Sequence, residues 1–169
     1  MAIAQDEFRR TLGHFATGVT VVTVVTPEGA VHGMTANAFS SVSLEPPLVL
    51  VCVGTGARTH GLLPLQPRFG ISVLREEQEA WARYFASSEQ QADAAERLGV
   101  RFRMTEAGVA LLEDSLASLE CTLAASHPAG DHTIFVGRVE EARIGGGRPL
   151  LFYGGRFRAL ESGSGEKQR

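Results

Sequence analysis

Gly33 to Val53 reads GMTANAFSSVSLEPPLVLVCV, a hydroxyl-rich segment joined directly to a run too apolar to lie on a surface. Thr35, Asn37, Ser40, Ser41 and Ser43 supply side-chain donors and acceptors, and the small residues between them let a ligand approach the backbone amides. Pro46-Pro47 excludes a helix and starts Leu48 to Val53, a continuous apolar strand of the kind buried on both faces. A polar lip on a rigid strand suits a flat ligand. On composition alone, a Ser/Thr-rich turn between two strands is the first reading and a binding lip the second.

Upstream, Phe8, Leu12 and Phe15 recur at helical spacing, with Asp6 placed to cap a short amphipathic helix that ends near Gly18. Val19 to Thr26, VTVVTVVT, is β-branched and has strand propensity. Pro27-Glu28-Gly29 turns it into a second strand from Ala30, forming a hairpin that leads into the lip. Downstream, GTGARTHG follows the buried strand as a dinucleotide fingerprint would. Thr59 then stands where that motif needs a small residue, and Gly61, Pro64 and Pro67 forbid the long helix it requires. What remains is a turn whose amides, with Arg58 and Thr59, could bind one phosphate.

Arg68 to Leu74 is a further strand, followed by a helix over Arg75 to Ala86 with Ala82, Phe85 and Ala86 near one face. A more exposed helix lies within Ser87 to Gly99, and two strands within Val109 to Ala124. His127 to His132 reads as a polar loop, TIFVGRVEEARI as a strand, and SGSGEKQR as a disordered tail after a single domain over residues 1–160. Many strands with short links and few helices predict a mainly β fold, a closed or partly closed antiparallel barrel with a few flanking helices.

The 169 residues suffice for one core, and 44% hydrophobic with 21% charged residues describe an ordinary globular chain. A net charge of −3 argues against a nucleic-acid or anionic-membrane surface. Cys52 and Cys121 lie in apolar runs without a CxxC motif, so they read as core thiols of a cytoplasmic protein. No apolar run reaches membrane-spanning length, and the N-terminus lacks the pattern of a signal peptide. The spacing of His14, His32, His60 and His127 gathers no metal site.

FATGVTVVT, GMTANAFSSVSLEPPLVLVCV, the helix ending ARYFA, GDHTIFVGRV and PLLFYGGRF, in that order, resemble the flavin reductase-like family, whose members include reductase components of two-component flavin monooxygenases. The resemblance implies a split β-barrel homodimer of the FMN-binding type that reduces FMN or FAD with NADH or NADPH. Reduced flavin would pass to a flavin-dependent oxygenase. It implies a flavin site built from Thr35, Ala36, Asn37, Ser40, Ser41, Val42, Ser43, Cys52, Val53 and Gly54, with Ala57, Arg58 and Thr59 near the phosphate and Phe85 and Ala86 at the far end. The GDH motif implies His132 as the catalytic residue on the nicotinamide side, beside Tyr153, Arg156 and Phe157. Many relatives carry Lys or Asn in the turn where this chain has Gly54, Thr55 and Gly56, which leaves Arg58 as the only cation there.

The chemistry suits these residue types. Hydride transfer to a flavin needs no nucleophile or metal, only stacking of two rings and donors set where negative charge gathers. Each assignment has a plainer counterpart: Phe85 as core, Tyr153 and Phe157 as interface residues, Arg58 as a solvated arginine, His132 as a loop histidine turned by Asp131. A second functional class stays open, a flavin-binding or haem-handling split-barrel protein that turns over no NAD(P)H.

Overall fold

The computed structural model describes residues 3–161. Helix α1 (Gln5–Leu12) precedes the short strand β1 (Thr17–Gly18), and β2 (Thr20–Val25) turns into β3 (Val31–Ala36). After Asn37-Ala38 come β4 (Phe39–Leu44), β5 (Pro47–Gly54), α2 (Arg58–Leu62) and β6 (Arg68–Val73). A 3-10 turn leads into α3 (Glu79–Ala86), then α4 (Ala92–Arg97), β7 (Phe102–Met104) and β8 (Ala110–Leu112). The long strands β9 (Ala117–Ala129) and β10 (His132–Ile144) and the small hairpin β11 (Leu151–Tyr153) and β12 (Arg156–Arg158) complete the chain.

Seven strands form one sheet in the order β3-β2-β6-β9-β10-β5-β4, every pair antiparallel. Laid flat, its two outer strands would stand roughly 29 Å apart, six spacings of about 4.8 Å. Yet those strands, β3 and β4, are joined by Asn37-Ala38 alone, and three Cα steps reach at most about 11 Å. The sheet must therefore curl until its edges approach, while the amide of Cys52 donates to the Ala38 carbonyl at 3.0 Å and carries the β4–β5 pairing into the connection.

The curl encloses one core of Val22, Val24, Val49, Val51, Val53, Leu63, Phe69, Ile71, Cys121 and Phe135. A second core lies on the opposite side of β2, where Val19 and Val21 meet Leu74, Ala82, Phe85, Leu112 and Leu150. Alternation along β2 thus serves two cores, and β2 is buried on both faces. The expectation for β5 was wrong in this respect: Val49, Val51 and Val53 are buried, whereas Leu48, Leu50 and Cys52 on its other face are only half-buried. Cys121 sits fully inside, and burial pushes its thiol up to about 12, as suits a core thiol.

Three further expectations are corrected. The hydroxyl-rich lip is β-structure rather than a loop: Thr35 and Ala36 end β3, and Ser40 to Ser43 lie in β4, which is bulged between Ser41 and Ser43. The polar loop from His127 to His132 is a hairpin whose turn is Gly130-Asp131, Gly130 having the positive φ of +66° that a tight turn requires. Pro128 is tolerated because β6 reaches only as far as Thr122 along β9, so no ladder on that side needs its missing N–H. Helix α1 begins at Gln5 without a side-chain cap, and Asp6 lies in its first turn, 3.9 Å from Arg9. The tail from residue 162 lies outside the described residues.

Candidate functional site

Register gathers part of the expected site on one face. In antiparallel pairs, opposite residues share a face, and β5 meets β10 as His132↔Gly54, Ile134↔Cys52 and Val136↔Leu50. On the other flank of β5, Ser40 faces Leu50 and Ser43 faces Leu48. The outer face of the curled sheet therefore carries Ser40, Leu50, Cys52, Gly54, Ile134 and His132 together. Its floor is apolar and its ends are polar.

At the His132 end the sheet borders a cleft of about 670 Å³, lined by Asn37, Asp131, His132, Phe152 and Gly155 on one side and residues of α1 on the other. Asp131 and His132 are joined by a 2.7 Å contact between Oδ1 and Nδ1. That hydrogen bond is the main reason the Asp131 carboxyl is held below its ordinary value. An ionised carboxylate only accepts, so Nδ1 carries the proton and donates it, leaving Nε2 to act outward. Nε2 lies over Gly54, where a Cβ would stand 3.7 Å from it.

The turn after β5 is fastened to this corner. The amide and the hydroxyl of Thr55 both donate to the Asp131 carbonyl, at 2.9 and 3.2 Å. One step on, His60 contacts the Thr133 hydroxyl through Nε2 at 2.9 Å and meets Phe135 edge-on. The candidate phosphate turn and the GDH turn are thus one hydrogen-bonded unit. Within it Ala57 is half-buried and Arg58 exposed, while Thr59 is 1% exposed with a hydroxyl that finds no partner. Burial and the nearby Arg58 together keep the half-buried His32 imidazole below its ordinary pKa.

Other expected residues lie elsewhere. Ser43 is opposite Leu48, six residues along β5 from Gly54, which is roughly 20 Å. Ser43 thus lies at the opposite end of the face from His132, next to the half-exposed Val42, while Ser41 stands opposite the inward-facing Val49. The Thr35 hydroxyl is committed to helix α3, donating to the Ala82 carbonyl at 2.7 Å, and Ala36 is buried beneath, its carbonyl accepting from Thr20. Val53 points into the first core. Phe85 belongs to the second core, against Tyr84 and Phe102 and directly over Gly33, while Ala86 is exposed. In the terminal motif, Phe157 packs against Phe152 at 5.5 Å under the Arg83 guanidinium, Tyr153 meets His14, and Arg156 is exposed.

Sequence reasoning missed Phe152 and Gly155 as cleft residues, and it missed the α1 wall of Gln5, Phe8, Arg9, Leu12 and Gly13, with Phe15. The helical spacing of Phe8, Leu12 and Phe15 was the available signal, but spacing does not say which surface a stripe faces. Among the described residues, no group of three His, Cys, Asp or Glu could hold a metal ion, and no helix is long and apolar enough to cross a membrane.

The apolar outer face of the curled sheet, its polar corners and the adjoining cleft make this region the candidate ligand site. Residues 12–161 match the flavin reductase like domain, and the chain belongs to that family. It is 50% identical over 155 residues to an NADH-dependent flavin reductase of a Rhodococcus species, covering 90% of this chain and 85% of that one. It is 39% identical over 157 residues to the reductase subunit of a flavin-dependent monooxygenase from Mycobacterium tuberculosis, covering 91% and 81% respectively. Among solved structures, the NADH:FAD oxidoreductase of Streptomyces globisporus in complex with NAD and FAD fragments superposes with a TM-score of 0.86 at 40% identity, covering 98% of this chain and 100% of that one.

Proposed function

We propose that this protein is an NADH-dependent flavin reductase that reduces FMN or FAD and supplies the reduced flavin to a flavin-dependent oxygenase. The observation that carries the reading is the single outer face shared by Ser40, Leu50, Cys52, Gly54 and His132 beside the cleft that Asn37 and His132 line. The names of the relatives support NADH over NADPH and an oxygenase as recipient. The curled sheet fits the split-barrel type, and two free cysteines suit the cytoplasm.

The residues present fit a flavin. Leu50 and Cys52 offer an apolar floor for the ring, Asn37 and Ser40 offer polar groups at its edge, and Ser43 extends that edge along β4. Arg58, with the unpartnered Thr59 hydroxyl, is the phosphate anchor. Bound flavin supplies the acceptor for the hydride of NADH. The chain's part is to hold the two rings in register and to present dipoles fixed beforehand. His132, its Nδ1 proton engaged by Asp131, directs Nε2 to the nicotinamide, and Phe152, backed by Phe157, closes that side with Tyr153 and Arg156 at the rim. Steady-state rates with NADH and NADPH crossed against FMN, FAD and riboflavin test the reading. Reduction of none of the three would overturn it.

Arg58→Ala should weaken FMN binding by about 1 kcal/mol, roughly fivefold, and leave riboflavin binding unchanged, because the lost partner is a phosphate charge. The exposure of Arg58 keeps the effect this small. Fluorescence titration of both flavins measures it, and equal losses would remove Arg58 from the phosphate site.

A homodimer completes the reading. Beside the flavin floor, Leu48, Ile134 and Val136 are half-buried on the outer face, and Leu44 at its margin is 94% exposed, an apolar area that a second copy would cover with the flavin site at the interface. Sedimentation should give one dimeric species, and a monomer with full flavin affinity would contradict this.

A further inference from the structure

The hairpin of β7 and β8 lies over the outer face of β2 and β6, where the Thr23 hydroxyl donates to the Ala110 carbonyl and the Leu112 amide donates to the Ser72 hydroxyl. Between the turn of this hairpin and strands β9 and β10 is a cavity of about 550 Å³ with Glu120 in its wall. Register gives Glu120 poor neighbours: Gly70, opposite it on β6, has no side chain, and Glu141, opposite it on β10, is a second carboxylate. Like charges directly across a ladder repel. Glu120 is 7% exposed, and among the described residues it accepts no hydrogen bond and forms no ion pair. A carboxylate so placed calls for a cation. Glu141 lies nine residues along β10 from His132, roughly 30 Å, so this cavity is separate from the flavin face.

The arginines nearby are engaged with other carboxylates. Arg143 donates to Glu141 at 2.6 Å and Arg138 to Glu140 at 3.0 Å, and these bonds are the main reason both carboxyls are held below their ordinary values. Arg103, also in the cavity wall, adds to the effect on Glu141. Two lining carboxylates are left without a partner, the buried Glu120 and the exposed Glu106 on the turn. Met104, 51% exposed, and Ala107 supply apolar surface beside them. Among the described residues no three acidic or imidazole groups are placed to hold a metal ion, so a compact dication does not suit the cavity. We infer that it binds an alkyl diamine, with one ammonium between Glu120 and Glu141, the other at Glu106, and the methylene chain against Met104. An ammonium brings three donors and needs no fixed coordination geometry, and a methylene chain favours an apolar wall.

Calorimetry of the full chain without flavin tests this, with putrescine, the four-carbon diamine, as the probe. Putrescine should bind saturably, one per chain, while butylamine and magnesium at matched ionic strength bind about tenfold more weakly or worse. Glu120→Gln keeps the shape and removes the charge, so putrescine binding should weaken about tenfold. The unliganded variant should melt no lower than the unmutated protein, since a buried charge without a partner is what it loses. Glu106→Gln, at an exposed position, should weaken binding by roughly threefold. Flavin affinity and NADH turnover should not change in either variant. Absence of saturable heat at millimolar putrescine, undiminished affinity in Glu120→Gln, or magnesium binding as tight as that of putrescine would overturn the inference. Should circular dichroism show that Glu120→Gln does not fold, Met104→Lys decides: an ammonium on the same wall should abolish putrescine binding, and unaltered binding would overturn the inference.

Discussion

Replacing His132 by alanine is expected to lower kcat/KM for NADH by about tenfold or more while flavin affinity stays within about twofold. A tenfold loss corresponds to about 1.4 kcal/mol of transition-state stabilisation, the size of one good hydrogen bond. The two effects separate because the turn carrying His132 does not depend on its ring: Thr55 holds the Asp131 carbonyl with two hydrogen bonds, and Gly130 sets the hairpin. The flavin-side groups, Asn37 and Ser40, stand on the β3–β4 connection and β4, not on that turn. Flavin titration and NADH oxidation on the same variant measure both quantities. Normal kinetics would make His132 a structural turn residue, and joint loss of both ligands would remove its assignment to the nicotinamide side.

Gly70→Ala should destabilise the protein by about 3 kcal/mol, lowering Tm by roughly 6–12 °C for a domain of this size. A Cβ at Gly70 would stand 2.5 Å from the Thr23 hydroxyl oxygen, 2.6 Å from the Ala110 carbonyl oxygen and 2.7 Å from a Leu111 methyl. The Thr23 hydroxyl donates to that same carbonyl, a buried bond that fastens β8 over β2 and β6. The methyl must push β8 away or part the bond, adding the cost of unsatisfied buried groups to overpacking. Gly61→Ala is the control, because nothing lies within 4 Å of a Cβ there. Equal melting temperatures for Gly70→Ala and the unmutated protein would contradict the packing described.

Strands were legible wherever local pattern decides them. The β-branched run became β2, and Pro46-Pro47 opened β5. Where tertiary partners decide, the sequence misled. The apolar run of β5 does not reveal that only Val49, Val51 and Val53 turn inward, because hydrophobicity alone does not say which face the curl of the sheet leaves outside. Thr35 reads as a free hydroxyl until α3 brings the Ala82 carbonyl to it, and Pro128 reads as loop until β6 proves too short to reach it. The GDH corner was legible as a motif. Its coupling to Thr55 and His60, and the α1 wall opposite, arise from contacts between segments far apart in the chain.

The central claim is turnover of free flavin, and the most direct measurement is anaerobic bleaching of a large excess of FMN or FAD by NADH with a trace of protein. A flavin reductase bleaches the whole pool, many flavins for each protein chain, with one NADH consumed per flavin. Bleaching that stops at one flavin per binding site, with the excess left oxidised, would mark a flavin carrier and contradict the account.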